Sequence, residues 1–299
     1  PSSTKFDFLT RTETADIPKS IHLFDSVYSI GGGRNHKRQL ISTFFLLPTL
    51  MMRRYDVVID LQNTLISKIV RKAIFPKAWV EFDKYSPIAA GERNRRTIEA
   101  MGLGNVSMYT QFSLKDPLKA ESILRKKGWS ENDTLVVLNP AGFFETRNWA
   151  LHNYVRFSEL WSKRYPQTKF IVLGTNALAA KADFLSQHLG DRLINLVGQT
   201  SPSEAFAVLQ HSTFVLSEDS GLMHMAWVSG TPTLTLFGST RSDWSRPLGE
   251  HTFFFDSSDL PCGNCMDSVC RMGDIRCLAR ISPEMVIENA FKLVEKRLC

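Results

Sequence analysis

One segment constrains the fold more than any other: Leu216-Ser-Glu-Asp-Ser-Gly-Leu-Met-His-Met-Ala-Trp-Val-Ser-Gly-Thr-Pro-Thr-Leu-Thr-Leu-Phe-Gly-Ser-Thr240. The apolar run Phe214 to Leu216 reads as a buried strand that stops at the polar turn Glu218-Asp-Ser-Gly221. Leu222 to Ser229 follows as a helix and ends at Gly230-Thr-Pro232. A second apolar run, Thr233 to Phe237, then ends in Gly238-Ser-Thr240. Strand, helix, strand in so short a span is a βαβ unit. In open parallel sheets, ligands collect at the carboxyl ends of the strands. A glycine at the mouth of a helix lets backbone approach a ligand, and the unpaired N–H groups and helix dipole there favour an anion such as a pyrophosphate.

The same alternation runs through the rest of the chain. Thr4 to Thr10 and Ile21 to Phe24 read as strands, Gly31-Gly-Gly33 as a flexible loop, and Arg34 to Arg54 as loop and helix. Tyr55 to Gln62 is a buried strand with a polar end. Asn63 to Ala73 is a basic helix, Trp79 to Phe82 a strand and Gly91 to Met101 a helix. Lys115 to Lys127 reads as a linking helix stopped by Gly128. The pattern restarts with strand Thr134 to Leu138, helix Leu151 to Lys163, strand Phe170 to Leu173 and helix Ser203 to Gln210. A last helix begins at Ser282-Pro283, cap then proline. With 299 residues, 43% of them hydrophobic and 22% charged, the chain suits two globular α/β domains, residues 1–128 and 129–299.

Asp219-Ser-Gly-Leu-Met-His224, Gly230-Thr-Pro232, Leu236-Phe-Gly-Ser-Thr240 and Pro247-Leu-Gly249, in this order and spacing, resemble the signature of the ADP-heptose:lipopolysaccharide heptosyltransferases, glycosyltransferase family nine. Asn139-Pro-Ala-Gly142, a short loop and Arg147-Asn-Trp149 resemble the family's second signature, a strand end followed by Lys-x-Trp, with Arg147 where the family usually has lysine. Gly198-Gln-Thr-Ser201 is similar to the family's Gly-x-Thr-Ser turn near the nucleotide, although Thr200 and Ser201 also make a good helix start. Asp60-Leu-Gln62 resembles the Asp-Leu-Gln strand end of the acceptor domain; a polar cluster at a sheet edge would look the same.

The resemblance implies a GT-B architecture, two Rossmann-like domains with parallel sheets facing a central cleft, the first binding acceptor and the second nucleotide-sugar. It implies inverting transfer of heptose from ADP-heptose to the inner core of lipopolysaccharide. Arg147 and Asp219 would then carry catalysis, Arg147 against the departing diphosphate and Asp219 on the donor hydroxyls. Asn139, Ala141, Gly142, Thr200, Ser201, Ser220, Gly221, Leu222 and His224 would bind the donor. Asp60 and Gln62 would lie on the acceptor side. The family's base sits in a loop after its first strand. Pro1 to Arg11 resembles the second strand, so the sequence as written is expected to lack the first strand and helix, to bind nucleotide and not to turn over. A family-nine transferase using another nucleotide-sugar, or a non-catalytic nucleotide-sugar-binding subunit, stands as the alternative.

No Asp-x-Asp motif sits at a strand end, so neither a cofactor nor a catalytic metal is expected. Cys262, Cys265, Cys270 and Cys277 read as structural thiols or as a structural zinc site. A Ser/His/Asp hydrolase is disfavoured, because no Gly-x-Ser-x-Gly elbow occurs. The formal charge of +6 suits acidic partners, but it is not blocky and no nucleic-acid motif accompanies it. The longest apolar run, Leu40 to Met52, is shorter than the roughly 18 residues that span a bilayer. Its basic flanks fit a buried helix with solvated ends or, as the second reading, peripheral contact with the inner face of the inner membrane. With no signal peptide recognised, a cytoplasmic location is expected.

Overall fold

The computed structural model describes residues 4–104 and 114–298, and the chain divides into two units between Lys115 and Asp116. The sequence had placed that boundary after Gly128. The helix expected to link the halves, α5 below, instead belongs to the second unit, where Lys119 Nζ lies 3.1 Å from Glu204 Oε1.

The first unit runs β1 (Asp7–Arg11), α1 (Asp16–Ser20), β2 (Ser26–Ile30), α2 (His36–Met52), β3 (Val57–Asp60), α3 (Leu65–Ile74), β4 (Ala78–Glu81) and α4 (Ala90–Glu99). Its strands form two parallel ladders, β1 with β2 and β3 with β4. Of the expected strand at Ile21 to Phe24 only Ile21 pairs, in an isolated antiparallel bridge to Leu114; His22 and Leu23 form a turn, and the ladder begins after it. Asp25 ties down Phe6 in both directions, its N–H donating to the Phe6 carbonyl at 2.7 Å and its carboxylate accepting from the Phe6 N–H at 2.8 Å. Pairing therefore starts at Asp7 opposite Ser26. The other correction is α2. Asn35 caps it and the helix continues through Pro48, but of its apolar side chains only Leu50 is buried, beside Gln39 and Thr43.

The second unit runs α5 (Lys119–Arg125), β5 (Thr134–Asn139), α6 (Leu151–Arg164), β6 (Thr168–Val172), α7 (Ala179–Leu189), β7 (Leu193–Asn195), α8 (Pro202–His211), β8 (Phe214–Glu218), α9 (Gly221–Val228), β9 (Thr233–Leu236), α10 (Ser242–Ser245), β10 (Thr252–Phe255), α11 (Arg276–Ala279) and α12 (Pro283–Leu298). Six strands form one parallel sheet in the order β10-β9-β8-β5-β6-β7. Residues Leu135 to Leu138 of β5 and Phe214 to Glu218 of β8 are all buried, as expected of parallel strands covered on both faces. Helix α6 buries Tyr154, Phe157 and Trp161 on one stripe, and α12 buries Val286, Ala290 and Val294. The fold creates one topological break. From β5 the chain moves outward to β6 and β7, then returns to the other side of β5 as β8. The crevice past the carboxyl ends of β5 and β8 is where such sheets take ligands.

Candidate functional site

At that break the register sets Asn139 beside Ser217. The Asn139 Nδ2 donates to Ser217 Oγ and to Ser220 Oγ, both at 2.7 Å. Ser220 is the N-cap of α9 and its Oγ accepts from Met223 N at 3.4 Å. The N–H groups of Gly221 and Leu222, in the first turn of α9, have no carbonyl partner within the helix. A Cβ placed on Gly221 would meet nothing within 4 Å, so the helix mouth is open. Asn139 Oδ1 is buried without a hydrogen-bond partner. Orphaned buried polar atoms are uncommon and ask for a missing ligand or water.

Arg147 reaches the same place from the loop after β5. Its Nη1 lies 3.5 Å from Asp219 Oδ2, its guanidinium carbon 4.8 Å from the centre of the Phe144 ring, and its Nε is buried with no partner. The loop is clamped on both sides of the arginine. Thr146 Oγ1 shares a 2.8 Å hydrogen bond with Ser239 Oγ and donates to the Asp267 carbonyl at 2.6 Å. The Ser239 N–H donates to the Thr146 carbonyl at 3.1 Å. Gly238 is required there, because a Cβ would collide with that carbonyl. Trp149 is buried in the core and its Nε1 donates to the Ile281 carbonyl at 2.9 Å. The signature tryptophan is thus the anchor that holds the cation two residues before it.

The residue the sequence reading missed is Glu218, the last of β8 and fully buried. One carboxylate oxygen accepts from Gly142 N at 2.6 Å; the other accepts from Trp149 N at 2.7 Å and Tyr154 OH at 3.2 Å. It therefore ties both ends of the Arg147 loop to the sheet. Burial pushes its carboxyl up to about 7, against the pull of Lys181 and of its three donors. Lys181 in turn is lowered by burial; its ammonium donates to the Pro140 carbonyl at 2.6 Å and to Asn148 Oδ1 at 2.5 Å. A glutamate in a polar turn carries no signal of this in sequence. Its partners come from the loop after β5 and from α6.

The other expected site residues divide. His224 is half-buried, burial lowers its pKa, and its Nδ1 accepts from Trp227 Nε1 at 3.3 Å, which leaves the ring proton on Nε2. Ala141 packs against the core and Gly142 carries the N–H that meets Glu218. Ser201 is occupied as the cap of α8, in a reciprocal capping box with Glu204, and Thr200 precedes it half-buried. In the first unit, Asp60 is buried and accepts through Oδ1 from the N–H groups of Gln62 at 3.0 Å and Asn63 at 2.8 Å. Its Oδ2 has no partner and Gln62 is exposed.

Among the described residues, no three His, Cys, Asp or Glu side chains stand close enough to share a metal ion. Cys299 lies outside the described residues. The cysteines differ in acidity. Backbone N–H groups, Ile275 foremost and Met272 to Asp274 with it, hold the Cys270 thiol below its usual value, whereas burial raises Cys277. Iodoacetamide near pH 7 is expected to label Cys270 ahead of Cys277. Peptide mass spectrometry giving the reverse order would contradict these environments.

A parallel sheet with an open helix mouth and a clamped arginine at its switch point defines an α/β protein of the kind that takes ligands at its strand ends. The chain belongs to glycosyltransferase family 9 (heptosyltransferase), whose model matches residues 92–276. It is 21% identical over 283 residues to lipooligosaccharide heptosyltransferase 2 of Haemophilus influenzae, covering 86% of this chain and 81% of that one. A family 9 glycosyl transferase from Veillonella parvula superposes with a TM-score of 0.81 at 14% identity, over 98% of this chain and 88% of the other. The ADP-heptose lps heptosyltransferase II of E. coli gives 0.76 at 16% identity, over 100% and 92%. The fold is the GT-B architecture of these enzymes, and the protein is a glycosyltransferase. No described helix is long and apolar enough to cross a membrane.

Proposed function

We propose that this protein transfers heptose from ADP-heptose to a sugar hydroxyl of the lipopolysaccharide inner core, with inversion at the anomeric carbon. The observation that carries the reading is the pair of orphaned buried atoms, Asn139 Oδ1 and Arg147 Nε, beside the open mouth of α9. Relatives named as lipooligosaccharide and ADP-heptose lps heptosyltransferases support it. The acceptor oxygen bonds to the anomeric carbon as the bond to the diphosphate oxygen breaks, and the electron pair leaves on ADP. Arg147 and the Gly221 and Leu222 N–H groups stabilise that charge. Asp219 holds donor hydroxyls, and the neutral His224 donates from Nε2 on the diphosphate side. Thr200, Ala141 and Gly142 line the nucleotide side, with Ser201 shaping the turn as a cap. The first unit takes the acceptor, with Asp60 and Gln62 on that side. A base there removes the acceptor proton; no described residue is assigned to it.

Gly221→Val tests the donor site. The added side chain has room in the free protein and no positive φ to strain it, but it fills the space in which a phosphate would meet the helix N–H groups. ADP affinity by calorimetry should fall at least about tenfold, ~1.4 kcal/mol, with an unchanged melting temperature. Unchanged affinity in a folded variant would place the nucleotide elsewhere. Product formation from ADP-heptose, set against other nucleotide-sugars, tests the donor itself; a faster rate with another donor would select the family-nine alternative.

A further inference from the structure

Helix α2 carries an apolar face that is exposed among the described residues. Leu40, Ile41, Phe44, Phe45, Met51 and Met52 are exposed, Phe44 at 70% and Phe45 at 76%. Ile41, Phe44, Phe45, Pro48 and Met52 fall at the spacing of a single helical stripe, opposite the buried Gln39, Thr43 and Leu50. Contiguous exposed apolar surface of this kind marks an interaction site. Exposed basic residues stand at both ends, Arg34, Lys37 and Arg38 before or within the first turn and Arg53 and Arg54 after the last. The N-terminal group is badly placed for the helix alone. The dipole disfavours cations in a first turn, and α2 has no acidic residue there to offset them.

We propose that α2 is an interfacial helix that lays this stripe on an anionic lipid bilayer, with Arg34, Lys37, Arg38 and Arg54 on the headgroup phosphates. Arg53 takes less part, because its Nε already donates to Tyr28 OH at 2.7 Å. The pattern is that of helices that lie in the membrane surface: aromatic and aliphatic residues on one side, cations at the rim, no acid between Gly31 and Tyr55. Like charges at both ends argue against a second copy. A two-fold pair of α2 helices, parallel or antiparallel, sets basic residues against basic residues. An anionic surface answers both the stripe and the misplaced cations. The use of such docking, bringing the enzyme to a lipid-borne acceptor, rests on the proposed function; the docking itself does not.

The test is co-sedimentation of the whole chain with vesicles of phosphatidylglycerol and phosphatidylethanolamine, against vesicles of phosphatidylcholine alone. Binding to the anionic vesicles is expected. Phe44→Gln with Phe45→Gln should weaken it at least about tenfold, and Lys37→Gln or Arg38→Gln about fivefold each. Roughly 0.5 M salt should remove the difference between the two vesicle types. ADP affinity and the melting curve are measured on every variant; both should stay at the wild-type value, the melting curve showing that the first unit is folded. Lipid binding without ADP binding would sink the nucleotide reading and leave the docking intact. No binding to anionic vesicles, or equal binding by the double phenylalanine variant, overturns the proposal. So does a concentration-dependent dimer of the wild type that this variant abolishes, since the face would then be a self-association surface.

Discussion

Replacing Arg147 with alanine is expected to lower kcat by ~10²–10³, the usual loss for one donor aimed at developing charge. The guanidinium is held in place before any substrate arrives. The Thr146 clamp and the buried Trp149 fix its backbone on both sides, and the Phe144 ring lies under its plane. Asp219, 3.5 Å away, balances its charge in the free protein, and the unpartnered Nε marks unused donor capacity. A departing diphosphate gains negative charge as the glycosidic bond breaks, so the interaction is worth more in the transition state than in the ground state. KM for the donor should therefore change less than kcat. Arg147→Lys should recover part of the rate, because lysine supplies the charge without the planar fork. Steady-state kinetics decide the matter: a kcat for Arg147→Ala within about threefold of wild type would remove Arg147 from the reaction.

Glu218→Gln should abolish a pH dependence of stability that the wild type shows between about pH 5 and 7. The folded carboxyl titrates near 7, against 4.5 unperturbed, because it is buried. Across that interval the folded protein keeps a proton that the unfolded chain has released. Stability contributed by this group is therefore greatest at the acid end and falls as pH rises through about 7, by about 3 kcal/mol in all. His224, lowered by burial, adds a slope of opposite sign below 6.5, so the comparison between wild type and variant isolates Glu218. Lys181 and Tyr154 face the carboxylate; burial lowers the lysine and raises the tyrosine, so the tyrosine stays neutral over this range. Glutamine also turns an NH₂ group toward the N–H of Gly142 or Trp149, a mismatch of about 1–3 kcal/mol at every pH. Urea unfolding from pH 5 to 8 gives both quantities. Parallel curves for the two proteins would mean that another group carries the titration.

The βαβ unit from Phe214 to Thr240 was legible in sequence because each of its signals is local. Apolar runs of strand length, a cap with glycine beside it and Gly-Thr-Pro as a stop need no distant partner to be read. The same holds for Asn139, Gly142 and Arg147, whose loop lies next to a strand that declares itself. Local signals also explain the misses. Ile21 to Phe24 is apolar enough for a strand, yet the Asp25 bonds to Phe6 start the ladder after it. The short β7 and the helix α7 gave too little period to recognise, and β10 is only Thr252–Phe255.

By itself the sequence determined most of the order of elements, two parallel α/β halves, and a capped helix start with an open glycine at α9, since propensity, caps and glycine positions act over a few residues. Only the tertiary structure decided that Glu218 holds the Arg147 loop at the sheet, that Ser201 works as a cap, and that α2 turns its phenylalanines to solvent. Each of these depends on which residues from distant parts of the chain arrive alongside. Glu218 meets its donors 64 to 76 positions away, and burial, which sets both its acidity and the exposure of α2, exists only after the chain has packed.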